Sequence, residues 1–269
     1  MAKIVGAFAM SHVVFEPEKA PAKAARVWAG MREIGRRVGE LSPDLIVLAT
    51  NDHLNNFTLA LQTPFIVGVA DDYLPLGDMG IPKARFRGDR AFADGFVRFA
   101  ADAGFDIARA EEIRPDHGLA FPNLVVNPHG RARVLPFYIN VGNDVPPAPK
   151  RVWNVGQTLR DFIERQRPAR EQIVILGAGG LSHWLCESEQ GRVNETFDRM
   201  VIEKLTSGRG RELAELTADE IRREAGRSGL EVMHWIFAAS TLPNSKGEKI
   251  FYEPMTEWIT GMGGIAITP

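Results

Sequence analysis

Short apolar segments alternate with longer amphipathic segments along this chain of 269 residues. Residues 4–10, 45–50 and 172–180 are apolar runs of strand length, the last ending in a glycine turn. Residues 18–41 repeat apolar side chains at steps of three or four, which is the period of an amphipathic helix. Strands that alternate with long helices are typical of α/β proteins with parallel strands. We therefore predict one α/β domain over residues 1–269, with a mostly parallel central sheet flanked by helices.

The remaining segments are assigned in the same way. Further helices are predicted at residues 89–103, 152–165, 194–205, 209–216, 218–225 and 229–240. Further strands are predicted at 105–108 and 133–139, with one or two more within 57–69. The last segment, 250–267, is predicted to form irregular structure or short strands.

Composition excludes several classes of protein. Lys and Arg number 32 against 34 Asp and Glu, so nothing favours binding to nucleic acid or to an anionic membrane surface. No apolar stretch is long enough to span a membrane, and the N-terminal segment is interpreted as a strand rather than a signal peptide. Cys186 is the single cysteine, which excludes an internal disulfide or a multi-cysteine metal site and fits a cytoplasmic location.

Three of the six histidines follow predicted strands directly. His12 follows the first strand, His53 follows the second, and His183 follows the strand that ends in the glycine turn. Because ligands of open α/β sheets bind at the carboxyl ends of the strands, this shared placement indicates a functional site.

The other histidines are less informative. His117 lies in the loop RPDHGLAFP, where a functional role and an ordinary loop position are equally open. His129 is interpreted as a plain turn residue, and His234 as a packed helix residue. Asp52, Asp116 and Ser182 are adjacent to candidate histidines and could orient their rings.

Glu231 lies in the apolar segment GLEVMHWIFAA. A carboxylate buried there would need a counter-ion, a proton or a metal, because burying a bare charge is costly. Taken alone, an exposed position in the first helical turn is the simpler interpretation. Two histidines and one carboxylate are nevertheless the ligand set of the facial triad of non-haem Fe(II) oxygenases.

Three familiar motifs fail on this chain. The glycine turn GAGGLS departs from the dinucleotide-binding pattern at Ser182, and GLSHW departs from the nucleophile elbow of serine hydrolases at Trp184. The zinc-protease motif H-E-x-x-H is absent. These observations argue against all three functions.

The motifs MSH, NDH, PDHG, VLPFYIN, ILGAGGLSH, GLEVMHW and YEPMTEWITGMG occur in this order along nearly the whole chain. Each is short, but the ordered set resembles the class III (LigB-type) extradiol ring-cleavage dioxygenases. That family includes the protocatechuate 4,5-dioxygenase β subunit and 2,3-dihydroxyphenylpropionate dioxygenase.

The resemblance implies an Fe(II) cofactor held by His12, His53 and Glu231. It implies that His183 is an acid–base residue and His117 a second active-site histidine. The expected substrates are a catecholic aromatic diol, with or without a carboxyl group, and O₂, and the expected product is a ring-opened semialdehyde.

The segment after His183 is short, and the resemblance implies that a small α subunit or a homo-oligomer covers the site. Two other functions remain open: a zinc-dependent hydrolase that uses the same site, and a non-catalytic interaction module of the same fold.

Overall fold

The computed structural model describes residues 2–12 and 17–269, which form ten strands and seven α-helices. The strands are β1 (Lys3–Met10), β2 (Leu45–Thr50), β3 (Phe65–Gly68), β4 (Asp72–Tyr73), β5 (Phe86–Arg87), β6 (Ala108–Ala110), β7 (Arg133–Ile139), β8 (Gln172–Ala178), β9 (Gly247–Met255) and β10 (Thr260–Ile267). The helices are α1 (Pro21–Leu41), α2 (Arg90–Asp102), α3 (His117–Val126), α4 (Pro149–Gln166), α5 (Glu195–Thr206), α6 (Ala218–Ala225) and α7 (Val232–Ser240).

Eight strands form one central sheet in the order β6-β3-β7-β2-β8-β1-β10-β9. The four central strands β7, β2, β8 and β1 are parallel to one another. Antiparallel pairs occur toward the two sides, between β3 and β7 and among β1, β10 and β9. The prediction of an α/β fold with a mostly parallel central sheet is confirmed.

Helices cover both faces of the sheet, which explains why β2 is apolar along almost its whole length. Leu45, Val47 and Ala49 contribute to the core that includes α2, α4 and α7. Ile46 and Leu48 point to the opposite face, where α1 and α3 pack. A parallel strand that is buried on both faces has a continuous apolar sequence, because neither set of its side chains faces water. None of the described helices is long and apolar enough to cross a membrane.

Some predicted elements differ from the structure. Only Phe65–Gly68 of the 57–69 segment is a strand. The predicted helix at 209–216 is a short 3₁₀ helix, Gly210–Glu215. The C-terminal segment forms the long antiparallel pair β9–β10. Its glycines obscure the strand pattern, yet they have a packing reason: a Cβ at Gly264 would lie 2.5 Å from side-chain atoms of Ile34 and Phe251.

The topology places the ends of β2, β8 and β1 side by side. The segments that follow these strands carry His53, His183 and His12, respectively. Parallel strands end at the same edge of a sheet, so three residues that are far apart in sequence arrive at one place.

The opposite edge of the sheet carries a cluster of ion pairs. Arg167 donates two hydrogen bonds to Glu171, at 2.8 and 2.9 Å, and Arg133 donates a third at 2.8 Å. Arg133 also donates to Asp89, which accepts a hydrogen bond from the Phe92 backbone N–H as the N-cap of α2. The cluster therefore joins α2, α4, β7 and the start of β8. Burial acts to raise the pKa of Glu171, but the bonds and charges of Arg167 and Arg133 hold it below the usual 4.5.

Replacement Glu171→Gln is expected to lower the free energy of unfolding by about 1–2 kcal/mol at pH 7, because it removes a carboxylate bonded to two arginines. A depressed pKa stabilises the fold above the unfolded pKa of Glu171, and this stabilisation is lost as pH falls through the folded pKa. The difference between wild type and variant should therefore shrink below about pH 4.5. Urea unfolding between pH 3 and 8 measures it. Glu164→Gln, which breaks a half-exposed pair with Arg160, is the matched control. An equal loss in both variants would contradict the prediction.

Candidate metal centre

His12, His53 and Glu231 converge on one point at the carboxyl edge of the sheet. The Glu231 Oε1 atom lies 3.6 Å from His12 Nε2 and 3.4 Å from His53 Nε2. The two imidazole ring centroids are 5.2 Å apart. The three side chains that the family resemblance implied as a ligand set are therefore brought together, each with one donor atom directed at the others.

Glu231 ends a short 3₁₀ helix, Ser228–Glu231, that leads into α7. It is only 4% exposed, so the interpretation that it lies in an exposed helical turn is wrong. Its Oε2 atom accepts a hydrogen bond of 2.6 Å from the Gly180 N–H, which leaves Oε1 facing the histidines. The glycine turn makes this close approach possible, because a Cβ at Gly179 would lie 2.7 Å from the Glu231 Cβ.

His53 is oriented by Asp116. The carboxylate Oδ2 of Asp116 lies 3.1 Å from His53 Nδ1 and accepts a second bond, of 2.8 Å, from the His53 backbone N–H. With Nδ1 bonded to Asp116, Nε2 is the atom that faces Glu231, and carboxylates commonly fix metal-binding histidines in this way. Burial acts to lower the pKa of His53, but the bonds to Asp116 and Glu231 raise it to about 10 in the absence of a cation.

His12 is buried, and neither of its ring nitrogens has a hydrogen-bond partner among the described residues. Burial lowers its pKa to about 3, so the ring is neutral and one nitrogen carries a free lone pair. Burial would raise the pKa of Glu231, but the adjacent His12 and His53 imidazoles hold it well below its usual range, so this carboxyl is an anion. An unpartnered buried nitrogen is costly, and a bound cation would satisfy it. Two imidazoles and one carboxylate suit a first-row transition metal, and these residues therefore fit such an ion.

His117 is the first residue of α3 rather than a loop residue, and its ring lies against the same centre. The His117 ring centroid is 4.1 Å from that of His53 and 5.7 Å from that of His12. Its Nδ1 atom is 2.6 Å from Asp78 Oδ2, and its Nε2 atom bonds to none of the residues that the structure describes. Nitrogen atoms of His12, His53 and His117 all lie within 4.8 Å of one another, so these three histidines form a second possible ligand set.

His183 lies beside the centre without a fixed partner for its ring. It is 4% exposed, and neither ring nitrogen is bonded to a described residue. Burial lowers its pKa, so the ring is neutral near pH 7 and able to accept a proton. Its backbone is held instead: the His183 N–H donates to the Ala225 carbonyl at 2.6 Å, and the preceding Ser182 is bonded to the buried Asp198.

A cavity of about 170 Å³ opens onto these side chains. It is lined by Asn51, His53, Met79, His117, Val141, Gly142, His183, Leu185, Arg227, Ser228 and Glu231. It is smaller than the roughly 300–1,000 Å³ of typical small-molecule sites. Its size suits a substrate with a single ring.

The orienting residues are only partly those proposed from the sequence. Asp116 contacts an imidazole, as proposed, but Asp52 bonds to Asn56 and Phe57, and Ser182 bonds to Asp198. Asp78, which holds His117, was missed because it is 39 residues away in a Gly- and Pro-rich loop. Sequence spacing gives no signal for such a contact.

The two remaining histidines lie outside the centre. His234 is fully buried and its Nε2 is 3.1 Å from the Ile139 carbonyl, whereas His129 is exposed in a turn. Both placements agree with the interpretation from the sequence.

A family model described as the catalytic LigB subunit of aromatic ring-opening dioxygenase matches residues 6–263. The chain belongs to the LigB family. This family consists of aromatic ring-opening dioxygenases, which supports a dioxygenase function for the chain, and His12, His53 and His117 give it a candidate metal site.

Curated relatives of this LigB chain share about a quarter of its residues. A Photorhabdus laumondii protein is 24% identical, with 88% of each chain covered, and a Klebsiella pneumoniae protein is 27% identical, with 87% of this chain and 88% of the relative covered. Both are named 2,3-dihydroxyphenylpropionate/2,3-dihydroxicinnamic acid 1,2-dioxygenase. A crystal structure of an uncharacterized protein from Escherichia coli K12 has the same fold, with a TM-score of 0.64 and 14% identity over 98% of this chain and 99% of that one.

Replacement Asp116→Asn is expected to weaken the binding of a divalent cation about 10–100-fold, because His53 loses the carboxylate that fixes its ring. Asparagine is as good an N-cap as aspartate, so α3 should remain folded. Anaerobic titration with Fe(II) measures the affinity. Asp89→Asn, at the N-cap of α2 and away from the centre, is the matched control and should bind the cation as wild type does. Equal affinities in all three proteins would show that Asp116 does not orient His53.

Proposed function

We propose that this LigB protein is a non-haem Fe(II)-dependent extradiol dioxygenase. In this proposal it cleaves the ring of a catecholic substrate beside the two hydroxyl groups, with O₂, and forms a semialdehyde. The convergence of His12, His53 and Glu231 beside a small cavity carries the proposal. The names of the relatives, which refer to aromatic diols, support the substrate class.

His12 Nε2, His53 Nε2 and Glu231 Oε1 would hold the ion. Bound there, Fe(II) would act as a Lewis acid toward both phenolic oxygens and as the redox partner for O₂. Glu231 would contribute one negative charge, and His12 and His53 would bind as neutral imidazoles once His53 has released its proton. The net positive charge left at the site would then favour the ionised form of the diol. Asp116 keeps His53 in the orientation that this arrangement needs.

His183 is proposed to take a proton from a substrate hydroxyl group. Its ring is neutral because burial lowers its pKa, and it lines the cavity with no hydrogen-bond partner in the described part of the chain. A general base that is positioned at the reacting group typically increases the reaction rate by about 10²–10⁴-fold. His183 does not need to leave an existing hydrogen bond in order to act.

His117 is proposed to exchange a proton with the substrate during ring opening. Asp78 binds its Nδ1 atom at 2.6 Å, and the ring lines the same cavity as His183. Its Nε2 atom is therefore the one available to an oxygen of the substrate. His117 is held through its ring by Asp78 and His183 through its backbone by Ala225, so one histidine can accept a proton and the other can deliver one.

A zinc-dependent hydrolase is the second candidate. The three-histidine set of His12, His53 and His117 favours it, because catalytic zinc sites can consist of three histidines and a water. The two proposals assign different roles to Glu231 and His117, and substitution of these two residues separates them.

Under the iron proposal, Glu231→Gln is expected to lower Fe(II) affinity at least 100-fold, because a ligand anion is lost. His117→Gln is expected to retain Fe(II) within about threefold of wild type, since His12, His53 and Glu231 supply all three protein ligands in this proposal. Anaerobic metal titration followed by metal analysis of the desalted protein gives both values. His129→Gln, at an exposed turn, is the control. Loss of metal from His117→Gln together with retention by Glu231→Gln would support the three-histidine site instead.

The Fe(II)-loaded protein, mixed anaerobically with a panel of catechols and then exposed to O₂, is expected to form a yellow ring-opened product with uptake of one O₂ per ring. His183→Ala should retain iron but turn over about 10²–10⁴-fold more slowly, because the general base is absent. Oxygen uptake and product absorbance provide the measurement. Full activity in His183→Ala would refute the assigned base. A wild-type protein that binds Fe(II) but opens no catechol would refute the proposed reaction.

A further inference from the structure

The cavity beside the candidate metal centre has one wall that carries a permanent positive charge. Among the described residues that line it, Arg227 is the only lysine or arginine. The other lining side chains away from the histidines and Glu231 are neutral, and Met79, Val141 and Leu185 are apolar. A cation on the wall of a small and otherwise largely apolar cavity is a feature that selects for a negatively charged ligand.

The guanidinium of Arg227 is located at this wall by one hydrogen bond. Its Nη2 atom donates to the carbonyl of Gly142 at 3.2 Å, and Gly142 itself lines the cavity. Arg227 precedes Ser228, the first residue of the 3₁₀ helix that ends at Glu231. The guanidinium is therefore anchored between two segments of the cavity wall.

Arg227 has no carboxylate within hydrogen-bond distance of its guanidinium in the part of the chain that the structure describes. The Asp144 Oδ1 atom lies 3.9 Å from Arg227 Nη2, and Asp144 is already bonded to Gln62. Glu187 accepts from the backbone N–H of Arg227 at 2.7 Å and not from its side chain. Most of the five donors of a guanidinium thus remain available to a ligand.

The spacing of Arg227 and Glu231 matches the size of a substituted ring. A 3₁₀ helix rises about 2 Å per residue, so the backbone positions of the two residues lie roughly 8 Å apart along its axis. This is the length scale of one benzene ring with a short acidic substituent. A diol bound at the Glu231 end would direct such a substituent toward the Arg227 end.

We propose that Arg227 is a specificity-determining residue that binds a carboxylate group on the ring of the diol substrate. The inference rests on the proposed function for the position of the diol, and Arg227 takes no part in the reaction itself. A carboxylate suits the site because its two oxygens match the planar fork of a guanidinium. The apolar side chains of Met79 and Leu185 would contact the ring.

The test compares an acid with a neutral molecule of the same shape. Dihydroxybenzoate and dihydroxybenzamide, each as the 2,3- and the 3,4-isomer, are bound to the Fe(II)-loaded protein under anaerobic conditions. Calorimetry gives the dissociation constants, and oxygen uptake gives kcat/KM. The wild-type protein is expected to prefer the acid on the order of tenfold, the value of one charge-assisted hydrogen bond at a partly exposed site.

Arg227→Met is expected to abolish most of this preference for the acid. Arg227→Lys is expected to retain part of it, because lysine keeps the positive charge but lacks the two parallel donors of the guanidinium. The change should appear mainly in the dissociation constant and in KM rather than in kcat. Arg223→Met removes an equal charge from the surface, at a residue paired with Glu224 outside the cavity, and should leave the preference unchanged.

The outcomes separate this inference from the proposed reaction. An unchanged ratio of acid to amide in Arg227→Met, or a wild-type protein that shows no preference, would overturn the role of Arg227 even if both rings are opened. A preference for the acid that depends on Arg227, in a protein that opens neither ring, would support the anion site and overturn the proposed reaction. Absence of binding by either compound would overturn both.

Discussion

The contact of the buried Glu231 carboxylate with the buried imidazole of His12 and the partly buried imidazole of His53 is the constraint on which the rest of this structure depends. Glu231 lies in a segment that is apolar on nearly every side, where an isolated anion would be very costly. The Gly180 N–H bonds one of its oxygens, and His12 and His53 face the other. A cation at this point would offset the remaining free-energy cost of burying these groups. The residues that destabilise the metal-free fold are therefore the ones that are arranged to bind a metal ion.

Helix α3 connects the stability of the fold to the geometry of the centre. Asp116 caps this helix through the Gly118 N–H and also fixes His53, while His117 is the first helical residue and is held by Asp78. One short turn therefore orients two of the rings. The supporting carboxylates are fixed by backbone bonds as well as by the imidazoles, which keeps the rings in place before a ligand arrives.

The two edges of the sheet have different physical roles. At the amino ends of the strands, paired charges connect the helices to the sheet, with Glu171 bonded to two arginines. Within residues 2–12 and 17–269, the opposite edge contains groups that lack hydrogen-bond partners: both nitrogens of His12, both nitrogens of His183, and most donors of Arg227. Satisfied polar groups stabilise, whereas unsatisfied ones at a cavity are available to a ligand.

The sequence by itself determined the α/β class, the main strands, and the placement of His12, His53 and His183, because buried parallel strands and their polar ends leave a local pattern. The ordered motifs also indicated the family, which the comparison confirmed. Only the tertiary structure decided that Glu231 is buried, that Asp78 supports His117 and that Arg227 lines the cavity. These facts depend on contacts between residues remote in sequence, such as Asp78 with His117 and Gly180 with Glu231, and local patterns carry no information about them.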